Sequence, residues 1–290
     1  MAPAKGSLQK GTHLMPTQRT DPCWISRMAE IAPGFDDIHL PQNDGGLSQD
    51  REWCEVIVDG VARRIRFHDY GKLYQIPGLY EGLFYERLEC CSPSRVVGLF
   101  EDVLEDVEDE EPDLRVLDVG AGNGMVGDEL LSCGAEVIVG IDIIEQARQA
   151  TLRDRPEVYS DYVVADLTDL SEQVEERLRR AKLNCLSTVA ALGFGDIPPA
   201  AFLKALDLID TPGWLAFNIK EDFLCERDGT GFCRLIRQLA REEIIQAQAY
   251  RRYRHRLSIT GKPLHYVAMV ARKRKDVPDH MLELYAPAEA

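Results

Sequence analysis

From residue 114 onward the chain alternates short apolar runs with segments whose apolar residues recur at helical spacing. The runs at 115–119, 136–141, 161–165, 185–191 and 213–219 predict strands. The segments 145–152, 171–182, 199–209 and 231–242 predict helices between or after them. Strands alternating with helices build βαβ units, in which a parallel sheet is covered on both faces. The end differs: IIQAQAYRRYRHRLS and LHYVAMVARKR are two β-like runs joined by Thr-Gly-Lys-Pro with no helix between them. Such a pair is expected to lie antiparallel at one side of the sheet. The fold class predicted is α/β: a doubly wound, mostly parallel seven-stranded sheet with an antiparallel last strand.

Before the sheet the pattern is different. Residues 1–20 are polar and without period, which predicts a disordered tail. WCEVIV and VARRIRF flank Asp59-Gly60, whose residues accept the positive φ angles of a tight turn, so a hairpin is expected. Residues 68–92 carry Tyr70, Tyr74, Tyr80, Phe84 and Tyr85, either an aromatic lid or helix-face packing. Pro93 opens a helix with Val96, Val97, Phe100, Val103, Leu104 and Val107 on one face. The organisation expected is a tail at 1–20, an extension with hairpin and lid at 21–92, the sheet domain at 93–275 and a tail at 276–290.

Composition narrows the partners. With 34 Lys+Arg against 49 Asp+Glu the net charge is −15, which counts against nucleic acid as the main partner. Nine of those acids, with no base, fall in 101–113, a solvated helix face and loop by expectation. Outside that stretch the excess is 15 − 9 = 6, so charge argues against nucleic acid less strongly than the total suggests. No apolar run reaches the roughly 18 residues of a membrane span, and the polar start lacks a signal-peptide core. A cytoplasmic protein without a membrane partner is expected. The eight cysteines show no C-x-x-C pair and no His spacing suited to zinc, so no metal is expected and core thiols are. Cys90-Cys91 stands out without implying a role. The bases at 251–256 and 272–275 read as solvated charges, although Arg252 or Arg254 facing a cleft would imply an anionic substrate.

The chemistry concentrates in RVLDVGAGNGMVG, residues 115–127. A strand ends in Gly120, Gly122 and Gly124 and passes into a helix, so the backbone can approach a ligand beside a helix N-terminus. Gly122-x-Gly124-x-x-Gly127 also satisfies the dinucleotide pattern, leaving a nicotinamide-dependent oxidoreductase open. Against that, Asp118 at the strand's end would repel a pyrophosphate and attract an ammonium. Asp142 follows 24 residues later at the end of the second strand, where an acid can bind ribose hydroxyls, and Asp166 another 24 later at the end of the third. Three carboxylates in register thus line the edge at which open α/β sheets bind ligands.

These motifs, LDVGAGNG with the Ile-Asp and Ala-Asp that end the next two strands, resemble those of class I S-adenosylmethionine-dependent methyltransferases. The resemblance spans about residues 95–273 and implies a Rossmann-like methyltransferase sheet behind the N-terminal hairpin and helical extension. It implies that Gly120, Gly122 and Gly124 cradle the methionine part, with Asp118 near its ammonium. Asp142 would bind the ribose, and Asp166 with Leu167 the adenine; Ala121, Ile143, Ala190 and Tyr85 complete the implied contacts. CLSTVAALGFGDIP resembles the small-molecule branch and lacks the Asn/Asp-Pro-Pro-aromatic motif of enzymes acting on DNA bases. FYERLECCSPSRVV is similar to the segment before this domain in the Williams-Beuren-region methyltransferase-like group.

The implied reaction is in-line methyl transfer to an O or N nucleophile of a small molecule, with S-adenosylhomocysteine as product. An alcohol or phenol would gain from a general base, for which His68, His265, Glu221 and Asp222 are candidates. A catalytically silent cofactor-binding protein is the rival outside enzymes. The acceptor's identity and the oligomeric state are left open by the sequence.

Overall fold

The computed structural model describes residues 37–41, 47–108, 113–192, 196–224 and 229–286; the tail expected at 1–20 lies outside them. The extension begins with β1 (Ile38–His39), β2 (Trp53–Val58) and β3 (Val61–Arg66), paired antiparallel in that order. Asp59 and Gly60 both adopt positive φ between β2 and β3, as the hairpin expectation required. Helix α1 (Tyr70–Gln75) and the short α2 (Leu79–Glu81), continued as a π-helix over Gly82–Arg87, carry the aromatic residues. Leu73, Leu79, Leu83 and Leu88 are buried with Cys54, Val56 and Phe67 in a core of the extension's own.

Helix α3 (Ser92–Val107) leads to the sheet domain: β4 (Arg115–Val119), α4 (Met125–Ser132), β5 (Val137–Asp142), α5 (Glu145–Asp154), β6 (Asp161–Val164), α6 (Glu172–Arg180) and β7 (Cys185–Thr188). It continues with α7 (Pro199–Leu208), β8 (Gly213–Lys220), α8 (Phe232–Arg241), β9 (Ile245–Leu257) and β10 (Pro263–Lys273). The strand order is β6-β5-β4-β7-β8-β10-β9, parallel from β6 to β8, with β10 antiparallel to both neighbours.

Strand β8 shows how the sheet is held. Its alternate residues Leu215, Phe217 and Ile219 enter the core under α7 and α8, whereas Trp214 and Ala216 enter the core under α3. Phe217 meets Phe202 edge-on at 5.3 Å and Trp214 meets Phe100 at 5.9 Å. With both faces covered, the strand reads as a continuous apolar run.

Two expectations are corrected here. The charges of the C-terminal pair divide: Arg251, Arg252, Arg254, Arg274 and Lys275 are exposed as expected, whereas His255, Arg256 and Lys273 are buried and Arg272 half-buried. Lys273 is 1% exposed, and its ammonium donates to the carbonyls of Leu206 (2.9 Å) and Ile209 (2.6 Å), closing the end of α7. Arg272 binds Glu108 and lies over Trp214, and Arg251 reaches Asp102, so part of the acidic face of α3 is neutralised by β9 and β10. The segment expected as a C-terminal tail carries α9 (Asp279–Tyr285), which buries Met281 against the core under α7. Met281, Leu282 and Tyr285 share a helix face, a pattern over five residues too short to stand out in the sequence.

The extension and the sheet are joined by buried polar contacts. Glu52 pairs with Arg256 at 2.5 Å and accepts from the Ile259 amide, all three groups being buried. Glu81 of α2 pairs with Arg155 at 2.5 Å and accepts from the Asn123 side chain at 2.7 Å, so α2 is tied directly to the glycine turn.

Candidate active site

The strand order reverses between β4 and β7, and a crevice opens there at the carboxyl ends of the strands. It holds a cavity of about 420 Å³ walled by Gly120, Asp142, Ile143, Asp166, Leu167 and Ala190 on the sheet side. His68, Tyr70, Tyr74 and Tyr80 of the extension form the opposite wall. A second cavity of about 40 Å³ continues from it, sharing His68, Tyr70, Tyr80, Ala190, Ala191 and Asp196, and ends against Gln49, His255 and Tyr266.

The glycine turn is rigid. Gly120, Gly122 and Gly124 all have positive φ, and a Cβ on Gly120 would stand 2.8 Å from that of Ala191. One on Gly122 would stand 2.5 Å from the Tyr74 hydroxyl oxygen. Thr151 and Tyr162 donate to the Gly122 carbonyl at 2.7 and 2.8 Å, and the Gly122 amide donates to Asp142 at 3.0 Å. Asp142 also accepts from the Ile144 amide at 3.0 Å, and burial pushes its carboxyl up. Asp166 accepts from the Thr168 amide and hydroxyl and stays exposed at the cavity mouth. Ala190 adopts φ 59, sparsely populated for a residue with a Cβ, and its amide donates to Asn218 at 2.7 Å.

Gly120, Asp142, Ile143, Asp166, Leu167, Ala190 and His68 are thus brought together. Others are not. Asp118 is 1% exposed beneath the turn, accepts from the Tyr159 hydroxyl at 2.7 Å, and does not line the cavity. Ala121, Gly122 and Gly124 are likewise outside the wall: Tyr74 covers Gly122, and Arg155 and Tyr159 pack on Gly124. Tyr85 packs beside Tyr80 in the extension's core, with ring centres 6.1 Å apart. Glu221 is half-exposed and bound by Arg252, with Nε 2.9 Å from both carboxylate oxygens. Asp222 pairs with Lys220 at 2.9 Å, and Arg254 with Glu89 at 2.9 Å. His265 lines neither cavity, because its strand neighbour Tyr266 faces the smaller one and adjacent side chains alternate.

Three participants escaped the sequence reading. Asp196 Oδ2 lies 2.9 Å from His68 Nδ1. His255, expected as a solvated charge, is 5% exposed, stacks on Tyr266 with centroids 4.0 Å apart, and binds the Ser92 hydroxyl at 2.6 Å. Burial and the neighbouring Arg256 hold its pKa well below the ordinary value, so it is neutral. Asn218 donates to Ser92 (3.1 Å) and Tyr253 (2.5 Å) and links this network to Ala190. Alternation along β8 and β9 was the available signal: it puts Asn218 inside a buried strand and His255 on the face of Tyr253. Cys90 also lines the smaller cavity, and burial pushes its thiol up to about 11, which makes it a poor nucleophile. Among the described residues no cluster of three or more His, Cys, Asp or Glu side chains is arranged to hold a metal ion. No helix among them is long and apolar enough to cross a membrane.

The sheet order, with its antiparallel last pair, is that of the class I S-adenosylmethionine-dependent methyltransferase fold. No family model matches the sequence, and no curated protein matches it. Similar solved structures include the N-methyltransferase NodS of Bradyrhizobium japonicum with S-adenosyl-L-homocysteine: 16% identity, TM-score 0.44, 63% of this chain and 87% of that one covered. The magnesium protoporphyrin IX methyltransferase of Synechocystis with bound S-adenosylmethionine gives 16%, 0.42, 62% and 79%. The ribosomal protein L11 methylase of Lactobacillus delbrueckii gives 14%, 0.41, 63% and 79%. The two acceptors named, magnesium protoporphyrin IX and a ribosomal protein, differ in kind, and neither carries over to this chain.

Proposed function

We propose that the chain is an S-adenosylmethionine-dependent methyltransferase acting on an O or N nucleophile of a small molecule. The observation that carries the reading is the 420 Å³ cavity, which has Asp142, Asp166 and Asp196 in its wall and no Lys or Arg among its described residues. Such a wall attracts a ligand of net positive charge and disfavours the pyrophosphate of a nicotinamide dinucleotide. Its volume lies within the range of about 300–1,000 Å³ usual for cofactor sites. Of the turn, Gly120 faces the cavity, whereas Ala191 and the Tyr74 hydroxyl already occupy the space that a Cβ on Gly120 or Gly122 would need.

When bound, S-adenosylmethionine supplies a methyl group already activated on its sulfonium. Asp142 would hold the ribose hydroxyls, Asp166 and Leu167 would flank the adenine, and the Tyr74 hydroxyl beside Gly122 would meet the methionine carboxylate. Asp118 lies outside the cavity and supports the turn from beneath, accepting from the Tyr159 hydroxyl. His68 takes the acceptor's proton on its ring, and Asp196 orients that ring and stabilises the imidazolium. Tyr70, Tyr74 and Tyr80 close the crevice against water.

Calorimetric titration tests the reading: S-adenosylmethionine and S-adenosylhomocysteine are expected to bind and NAD is not. Binding of NAD alone would overturn it.

A further inference from the structure

Resting on that reading, we propose that the acceptor carries a primary ammonium, lodged where the two cavities meet, with its charge answered by Asp196 and one N–H donated to Gln49.

Charge carries the argument furthest. In the large cavity Asp142 and Asp166 are taken up by the cofactor, which leaves Asp196 for the acceptor. Asp196 lines both cavities, and its side chain is 31% exposed, so a ligand entering by the mouth can reach it. His68 meets its Oδ2, and Oδ1 has no partner among the described residues. His68 must be neutral to take a proton, so it does not cancel the carboxylate. The far end of the smaller cavity cancels itself. Arg256 is paired with Glu52 at 2.5 Å, His255 is neutral, and burial pushes the Cys90 thiol up to about 11, so that it keeps its proton. One uncompensated negative charge beside a small cavity favours a cationic group and repels a carboxylate or phosphate.

The second observation is an orphaned atom. Gln49 donates through its amide nitrogen to the Tyr266 hydroxyl at 3.1 Å, yet its carbonyl oxygen is buried without a partner. A buried acceptor left unpaired is costly, and a ligand N–H removes that cost. Gln49 lines the smaller cavity together with Asp196. Tyr70 and Tyr80, which wall both cavities, add the attraction of aromatic rings for a cation. Phe67 and Phe84 already serve Arg256 in this way, with ring centres 5.5 and 5.9 Å from its guanidinium carbon.

Size supplies the third. About 40 Å³ has room for on the order of three waters, which suits an ammonium and its adjoining methylene and excludes a ring. The remainder of the acceptor therefore lies in the large cavity. The ammonium is an anchor that keeps its protons, and the nucleophile is a second O or N on that remainder.

The test uses the full chain, titrated first with S-adenosylhomocysteine by calorimetry and then, when loaded, with three matched probes followed by fluorine NMR at neutral pH. We expect 4,4,4-trifluorobutylamine to bind about tenfold more tightly than 4,4,4-trifluorobutanol, and 4,4,4-trifluorobutyrate more weakly than either. Asp196→Asn, which keeps an acceptor oxygen and removes the charge, should bring the amine and the alcohol to within about twofold of each other. A merely structural role would weaken both probes and leave their ratio as it was. Gln49→Met should weaken the amine about tenfold without changing the affinity for S-adenosylhomocysteine. Absence of amine binding, an alcohol bound as tightly as the amine, a ratio that survives Asp196→Asn, or an unchanged amine Kd in Gln49→Met each overturns the ammonium site while leaving the cofactor reading intact. Failure of S-adenosylhomocysteine to bind overturns both.

Discussion

Burial pushes the Asp118 carboxyl from its ordinary 3.8 up to about 7, although the Tyr159 hydrogen bond pulls the other way. The sign of its effect on folding follows. The folded chain holds a proton that the unfolded chain releases near pH 4, so this contribution is fully present below pH 3.8 and is lost as pH rises through 7. About three pKa units correspond to ~4 kcal/mol. Asp118→Asn, which still accepts from Tyr159, should therefore gain on the wild type as pH rises from 5 to 8 in urea unfolding. A difference independent of pH would show that the carboxyl is ionised throughout. Asp142 belongs to the same scale: Asp142→Ala removes the acceptor of the Gly122 amide and should weaken S-adenosylmethionine by about 1–3 kcal/mol in calorimetry. Asp142 and Asp166 were legible in the sequence because each terminates an apolar run and nothing else is needed to place it. Asp196 was not, because it meets His68 across 128 residues and only the docked extension makes the pair. His265 and Glu221 were misplaced for a related reason: strand ends show in a sequence, whereas the face of an edge pair and the partner of an exposed acid do not.

At the scale of elements, the contact between α2 and the glycine turn decides how the extension is held. Glu81 and Arg155 have side-chain exposures of 2% and 8%, so their pair is little screened by solvent. Glu81→Ala leaves a buried guanidinium with Asp128 as its remaining carboxylate partner, and should cost about 3 kcal/mol in chemical unfolding. Glu89→Ala breaks the Arg254 pair, whose side chains are 44% and 52% exposed, and should cost less than ~1 kcal/mol. Equal losses would mean that burial does not distinguish the two pairs. The strands and helices themselves were read to within a few residues because β8 is a nearly unbroken apolar run and α3 follows a period of 3.6. Glu81, by contrast, sits among Tyr80, Gly82 and Leu83 as an unremarked acid; its role arises from Arg155, which follows α5 in a different part of the chain.

For the whole molecule, the consequence is that the large cavity has two walls of separate origin. The sheet edge supplies Gly120, Asp142 and Asp166; the extension, with its own core, supplies His68, Tyr70, Tyr74 and Tyr80. A ligand that touches both must couple them, since any opening that separates the walls forfeits its binding energy. At a concentration one hundred times its Kd, a ligand bound only by the closed form stabilises it by about 2.7 kcal/mol. Hydrogen exchange followed by mass spectrometry should therefore show slowed exchange on adding S-adenosylhomocysteine, both in the turns at 120–124, 142–144 and 166–168 and in 70–80. The slowing in 70–80 should be of the order of a hundredfold wherever exchange proceeds through separation of the walls, since ~2.7 kcal/mol is about two factors of ten. In Glu81→Ala the protection of 70–80 should fall while that of 142–144 persists, because α2 loses its tie to the turn while Asp142 keeps its place at the end of β5. Protection confined to the sheet edge in the wild type would mean that the extension is a neighbour of the site and not one of its walls.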